Sequence, residues 1–207
     1  DYQRFGTRRR DEARDAMRAL GRDGRHLRFV GMPDGALYAL WRRNWTPDSP
    51  LRTATTRALS SPYPWVVRPG APYCGSTLLE ILNGELDDFR PTDVFVTHPA
   101  DDHGDHAAAS AFVQAAMAHA RRRGAEWARR CSLHFYLVHR GDWPQPQGYL
   151  PNLSLAPPAE MVGLDTRWRG LQLSSDETRA KGRAIRAYRS QTAVMRRFLM
   201  SFVRTTE

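Results

Sequence analysis

Between Asp93 and Arg123 the pattern of apolar residues changes period twice, and this constrains the fold more than any other feature of the chain. Asp93-Val94-Phe95-Val96-Thr97 is a short apolar run set off by Arg90-Pro91-Thr92, which predicts a buried strand. A polar stretch from His98 to His106 follows, and Ala107 to Arg123 is then strongly helical. After Gly124 a second run, Ser132 to His139, predicts another strand. Strand, polar loop, helix and strand in this order predict an α/β fold, a three-layer α/β/α sandwich with a Rossmann-like, mostly parallel sheet.

The flanking segments add helices. Ala13, Ala16, Met17 and Leu20 recur at helical spacing over 11–20, with Gly21 as the stop. His26 to Val30 alternates as a strand does and runs into the turn Gly31-Met32-Pro33-Asp34-Gly35. From Trp41 to Gly75 the chain is rich in proline and aromatics without a sustained period, which predicts a long loop, either a binding segment or a surface insertion. Leu78, Leu79, Ile81, Leu82 and Leu86 predict a helix ending near Asp88, and 141–158 reads as a Pro/Gln/Gly loop. One last helix is expected from a capping-box start at Ser174-Ser175-Asp176-Glu177 through Leu199.

With 207 residues, of which 41% are hydrophobic and 26% charged, the chain is long enough to bury a core without disulfides, and one domain spanning 1–207 is expected. Cys74 and Cys131 form neither a disulfide framework nor a CxxC motif, which favours a reducing, cytoplasmic location. No apolar run reaches membrane-spanning length, so no membrane partner is expected. The net charge of +9 comes almost wholly from arginine, Lys181 being the sole lysine. Arg8-Arg9-Arg10, Arg121-Arg122-Arg123 and Arg129-Arg130 read as solvated helix faces rather than a nucleic-acid surface. The sequence is silent on oligomeric state.

In an open α/β sheet, ligands collect at the carboxyl ends of strands, where the next helix offers its N-terminus. The nine residues 98–106 occupy that position and hold three histidines and three aspartates. These are groups that ligate divalent metals or move protons near neutral pH. Individually they have plainer readings: Asp105 as a helix cap, Asp101 and Asp102 as turn residues. Together they point to a site, with His106 as a candidate ligand and His103 as a candidate oxyanion stabiliser. His134 and His139 are further imidazoles, and His139, closing a strand, is a candidate to face the same cleft.

Pro99-x-Asp101-x-His103-x-Asp105-His106 before an alanine-rich helix resembles the second signature of the PIG-L/LmbE-like zinc-dependent N-deacetylases. Arg9-x-x-Glu12-x-x-x-Ala16-x-x-x-Leu20-Gly21, the Gly31 to Gly35 turn, and Lys181 through Tyr188-Arg189-Ser190-Gln191 resemble weaker family features in the same order, so the likeness runs from about residue 8 to 191. The resemblance implies an LmbE-like domain that removes an N-acetyl or N-acyl group from an amino sugar or related polar metabolite, with Zn2+ or another divalent metal. By the same resemblance His106 is a metal ligand, His103 the electrostatic catalyst, Asp105 its charge partner, and Arg9 and Asp34 polar contacts to a sugar-like substrate. The family's first signature, His-Pro-Asp-Asp-Glu, does not occur in these residues and by the family's order would precede residue 1. The expectation is therefore an N-terminally truncated domain, lacking its first strand and inactive or aggregating alone. The alternative is a catalytically inactive LmbE-like binding module.

Overall fold

A computed structural model describes residues 2–163 and 167–207. Its elements in chain order are α1 (Tyr2–Ala19), α2 (Leu37–Arg42), α3 (Gly75–Phe89), β1 (Asp93–Thr97), α4 (Gly104–Arg122), α5 (Glu126–Arg130), β2 (Ser132–Tyr136), a single 3-10 turn (Ala159–Met161), α6 (Ser175–Ala187) and α7 (Arg189–Met200). The chain divides into two compact units: Asp1–Leu27 with Arg140–Glu207, and Arg28–His139.

The Arg28–His139 unit has the mixed α/β character expected. β1 and β2 pair in parallel from Asp93 opposite Ser132 to Thr97 opposite Tyr136. A parallel pair needs a long return connection, which α4 and α5 provide. α4 packs on β1 and carries α2 and α3 against it. The core is Leu40, Tyr73, Leu78 and Phe112, with Val30, Met32, Leu51 and Leu82 around it. Phe112, fully buried in α4, meets Trp41 edge-on at 4.9 Å and stacks with Trp45 at 6.0 Å between ring centroids. These rings fasten the start of the proline-rich stretch to α4. Gly75, opening α3, is required where it stands, because a Cβ there would press into the Trp45 ring and lie 2.7 Å from the Leu40 carbonyl.

Four expectations change here. The alternating segment 26–30 is not a strand. Beyond the local turn, the Phe29 carbonyl accepts the Val67 N–H, and alternation yields a strand only where a neighbour supplies a ladder. Arg42 closes α2, so the irregular stretch begins after a helix that aromatic-rich sequence without a clear period did not reveal. β1 is buried only at Val96 and Thr97, while Phe95 is 62% exposed, because α4 covers only part of a two-stranded sheet. β2 ends at Tyr136, three residues before the expected His139.

In the other unit α1 packs on α6. α1 begins nine residues before the expected start and closes at Gly21, whose φ of +72° suits glycine. The Ser174/Glu177 capping box opens α6 as expected. The single last helix is instead two, separated at Tyr188, whose ψ of 65° leaves the helical region. The break is accommodated by Glu12, buried in α1, which accepts the Ser190 N–H at 2.8 Å and the Ser190 hydroxyl at 2.6 Å. Those bonds satisfy a donor that a helix start leaves unpaired. Arg204, 1% exposed, donates to the carbonyls of Pro146, Leu150 and Ser201.

Both cysteines are free and buried. The arginine runs carry ion pairs at the surface, among them Arg123 with Asp87 and Arg130 with Glu126. Among the described residues, no helix is long and apolar enough to cross a membrane.

Candidate active site at the strand carboxyl ends

β1 ends at Thr97, and the hydroxyl of that residue donates to the His106 carbonyl at 2.8 Å, tying the strand end to the first turn of α4. His103 is the N-cap of α4: its Nδ1 accepts the Asp105 N–H at 3.3 Å. Asp105 is therefore not the cap. It lies within the first turn, where a carboxylate is favoured by the unpaired N–H groups of the helix end.

The Asp105 carboxylate reaches out of its own segment. Oδ2 accepts the Gly35 N–H at 2.6 Å and Oδ1 the Leu37 N–H at 2.8 Å. The turn holding Asp34 is thus clamped to the histidine loop, and Asp34 itself is an exposed residue one peptide away from the clamp. Arg9 belongs to α1 in the other unit, where its guanidinium lies 6.0 Å from the centre of the Phe5 ring.

Asp101 organises the site. Its side chain is fully buried, and its two oxygens accept three backbone N–H groups and meet one imidazole nitrogen. Oδ1 takes the His103 backbone N–H and His106 Nδ1, each at 3.0 Å. Oδ2 takes the backbone N–H groups of Val138 and His139 at 2.8 and 2.9 Å. Burial pushes this carboxyl up, but the bonds from His139, His103 and Val138, with the nearby His106, outweigh it and hold Asp101 below its ordinary value. One carboxylate therefore joins the segment after β1 to the segment after β2.

The result is a group of three imidazoles. The ring centres of His103 and His106 are 4.7 Å apart, His106 and His139 5.2 Å, and His103 and His139 5.6 Å. The rings are mutually tilted by 31–37° and so lie closer to parallel than to convergent. Burial pushes the His139 imidazole below its ordinary value, with His106 and His103 adding to the effect and Asp101 opposing it. His139 is thus predominantly neutral at neutral pH. His134, the other spare imidazole, is outside this group and pairs with Asp93 at 2.8 Å.

The sequence reading named His103, Asp105 and His106, and the structure sets all three in one turn. It gave Asp101 only a turn role. The available signal was its position two residues before His103 at a strand end, where an aspartate accepts the N–H two residues on. No local pattern could show that Val138 and His139 would meet the other oxygen.

Among the described residues, no group of three or more His, Cys, Asp or Glu side chains is arranged to hold a metal ion. His106 has Nδ1 against Asp101 Oδ1, and its side chain is 28% exposed.

A search of curated proteins and of solved structures finds no match. The family model for PIG-L, GlcNAc-PI de-N-acetylase, matches residues 1–117, which include Asp101, His103, Asp105 and His106. Since that match covers more than half of the 207 residues, the chain belongs to the PIG-L family of de-N-acetylase-type hydrolases.

Proposed function

We propose that this chain takes part in metal-dependent hydrolysis of an N-acetyl or N-acyl group on an amino sugar or related small polar metabolite, giving a carboxylate and a free amine. The observation that carries the reading is the imidazole group at the strand carboxyl ends, held by a buried carboxylate within the part of the chain that matches the family. We assign His106 as one ligand, through Nε2, of Zn2+ or another divalent metal. When bound, such an ion polarises an amide carbonyl and acidifies water.

The chain's own groups have separable tasks. His103, exposed at the α4 N-cap, is placed to hold a proton on its ring and stabilise the oxygen that gains charge as the amide carbon becomes tetrahedral. Asp105, in the same helical turn, contributes negative charge beside His103, while its hydrogen bonds hold the 35–37 backbone. Asp34 and Arg9 are assigned as polar contacts to the sugar-like substrate. The two free cysteines fit a cytoplasmic location, which we include in the proposal.

The test is acetate release from N-acetylglucosamine-type compounds by the intact protein in the presence of Zn2+, with His106→Ala and His103→Ala compared. The expected result is that His106→Ala loses both metal retention and activity, while His103→Ala keeps the metal and loses activity. Metal retention unaffected by His106→Ala would overturn the ligand assignment. Retained substrate binding with neither metal binding nor acetate release would favour the inactive binding module.

A further inference from the structure

We propose that Tyr38 is a specificity-determining residue beside the histidine group: its aromatic face, with the bare peptide of Gly104 next to it, takes the apolar face of a six-membered sugar ring and favours cyclic N-acyl substrates over open-chain ones. This rests on the reading of that site as one for N-acyl substrates, and it names the residue that selects among them.

The place of Tyr38 is set by the helix it belongs to. α2 lays Leu37, Leu40 and Trp41 against the core, at the spacing of one helical face. Tyr38 falls off that face and is 50% exposed. It follows directly on Leu37, whose N–H is held by the Asp105 carboxylate at 2.8 Å. On the α4 side, the Tyr38 Cβ lies 3.7 Å from where a Cβ on Gly104 would stand. Gly104 is the residue between His103 and Asp105, so the stem of the tyrosine rests against the turn that carries His103 and His106. Trp41 and Trp45, the neighbouring aromatic residues, are instead committed to Phe112.

Gly104 supplies a second, independent observation. Its backbone is helical, so no left-handed dihedral requires glycine there. Packing does not require it either, because an approach of 3.7 Å is ordinary van der Waals contact. Glycine also weakens a helix relative to alanine. What the missing side chain leaves is bare, exposed ground beside an exposed tyrosine and the exposed His103.

The chemistry of such ground is specific. A tyrosine ring offers a large, rigid area with a negatively polarised face. A pyranose ring carries a patch of C–H groups on one face, with its hydroxyls around the edge. These two faces match, whereas an open-chain amide has no such face. Sites for small ligands join aromatic walls to a few polar groups in this way, and Asp34, exposed in the turn that Asp105 clamps, is one such group.

The experiment measures binding rather than turnover. The intact protein is titrated with N-acetylglucosamine and with N-acetylethanolamine, which carries the same amide without a ring, and affinities are read by saturation-transfer NMR. Three variants are compared after circular dichroism confirms their fold. Tyr38→Phe keeps the ring, Tyr38→Leu keeps apolar bulk without it, and Gly104→Ala fills the bare ground. The expected result is that Tyr38→Phe binds the sugar as the unsubstituted protein does, while Tyr38→Leu binds it about 2–10-fold more weakly. Gly104→Ala is expected to weaken the sugar as well, and none of the three to alter N-acetylethanolamine binding. Where only the sugar binds measurably, the losses in Tyr38→Leu and Gly104→Ala decide, and should Tyr38→Leu not fold, Gly104→Ala decides alone. Unchanged sugar affinity in either variant overturns the proposal and leaves the N-acyl reading of the site standing. So does an equal loss for both probes, or a loss in Tyr38→Phe. If the unsubstituted protein binds neither probe, the reading of the site itself fails and the role of Tyr38 with it.

Discussion

Glu12 and Ser190, 178 positions apart in the chain, are joined by two hydrogen bonds, the Ser190 N–H and hydroxyl both donating to the Glu12 carboxylate. The glutamate thus supplies from α1 the acceptor that the first turn of α7 lacks in its own sequence. Both residues fall within segments that resembled the family only weakly as sequence. Their meeting gives those two matches a common physical basis, since a glutamate on one helix has a stabilising role only where a helix start is brought to it.

That pair makes part of the stability depend on acid. Burial pushes the Glu12 carboxyl up, but the bonds from Ser190 and the charge of Arg8 outweigh it, and the net direction is below its ordinary value of 4.5. A carboxyl lowered in the folded state stabilises above the unfolded value and ceases to do so as the pH falls through its folded value. Urea midpoints should therefore decline from about pH 4.5 downward. Glu12→Gln should flatten that decline and cost about 1–3 kcal/mol at pH 7.

Asp105 has a second measurable consequence besides activity. Because Gly35 and Leu37 donate to its carboxylate, Asp105→Ala should speed hydrogen exchange at those two amides and leave the Phe112 amide in mid-α4 protected. A loss of about 1.5–3 kcal/mol is expected, the usual range for bonds to a charged group. Unchanged exchange at Gly35 and Leu37 would show that the turn is held by something else.

Phe112 should be among the most sensitive core positions. It is fully buried, and Trp41 and Trp45 both rest on it. Phe112→Ala should cost about 3–5 kcal/mol and open the 43–74 stretch to limited proteolysis. Val194→Ala, at a position 83% exposed, is the control and should change the melting temperature little.

Gly75 tests close packing directly. A single methyl there meets a Trp45 ring already stacked on Phe112 and a backbone carbonyl, neither of which can turn aside freely. Gly75→Ala should destabilise by about 1–3 kcal/mol despite the better helix propensity of alanine, as read from thermal melts. Gly84→Ala in the same helix, where nothing lies within 4 Å of the added methyl, should be neutral or stabilising.

Local pattern determined much of this protein. The apolar run 93–97, the helical alanine-rich segment after it and the run from Ser132 pointed to a parallel strand pair, since a helical crossover returns the chain to run in the same direction. The concentration of His103, Asp105 and His106 at a strand end was likewise legible, because all of it lies within a few residues. The Ser174 capping box was legible for the same reason.

Tertiary structure decided the rest. Whether 26–30 became a strand depended on a partner strand, which alternation requests but cannot supply. The break at Tyr188 depended on Glu12 arriving from α1. The buried role of Asp101 and the place of His139 beside His106 depended on parallel pairing that brings residues 138 and 139 to the loop after Thr97. Periodicity reports which face of an element is apolar, whereas a hydrogen bond between residues far apart exists only once the chain has folded to close the distance.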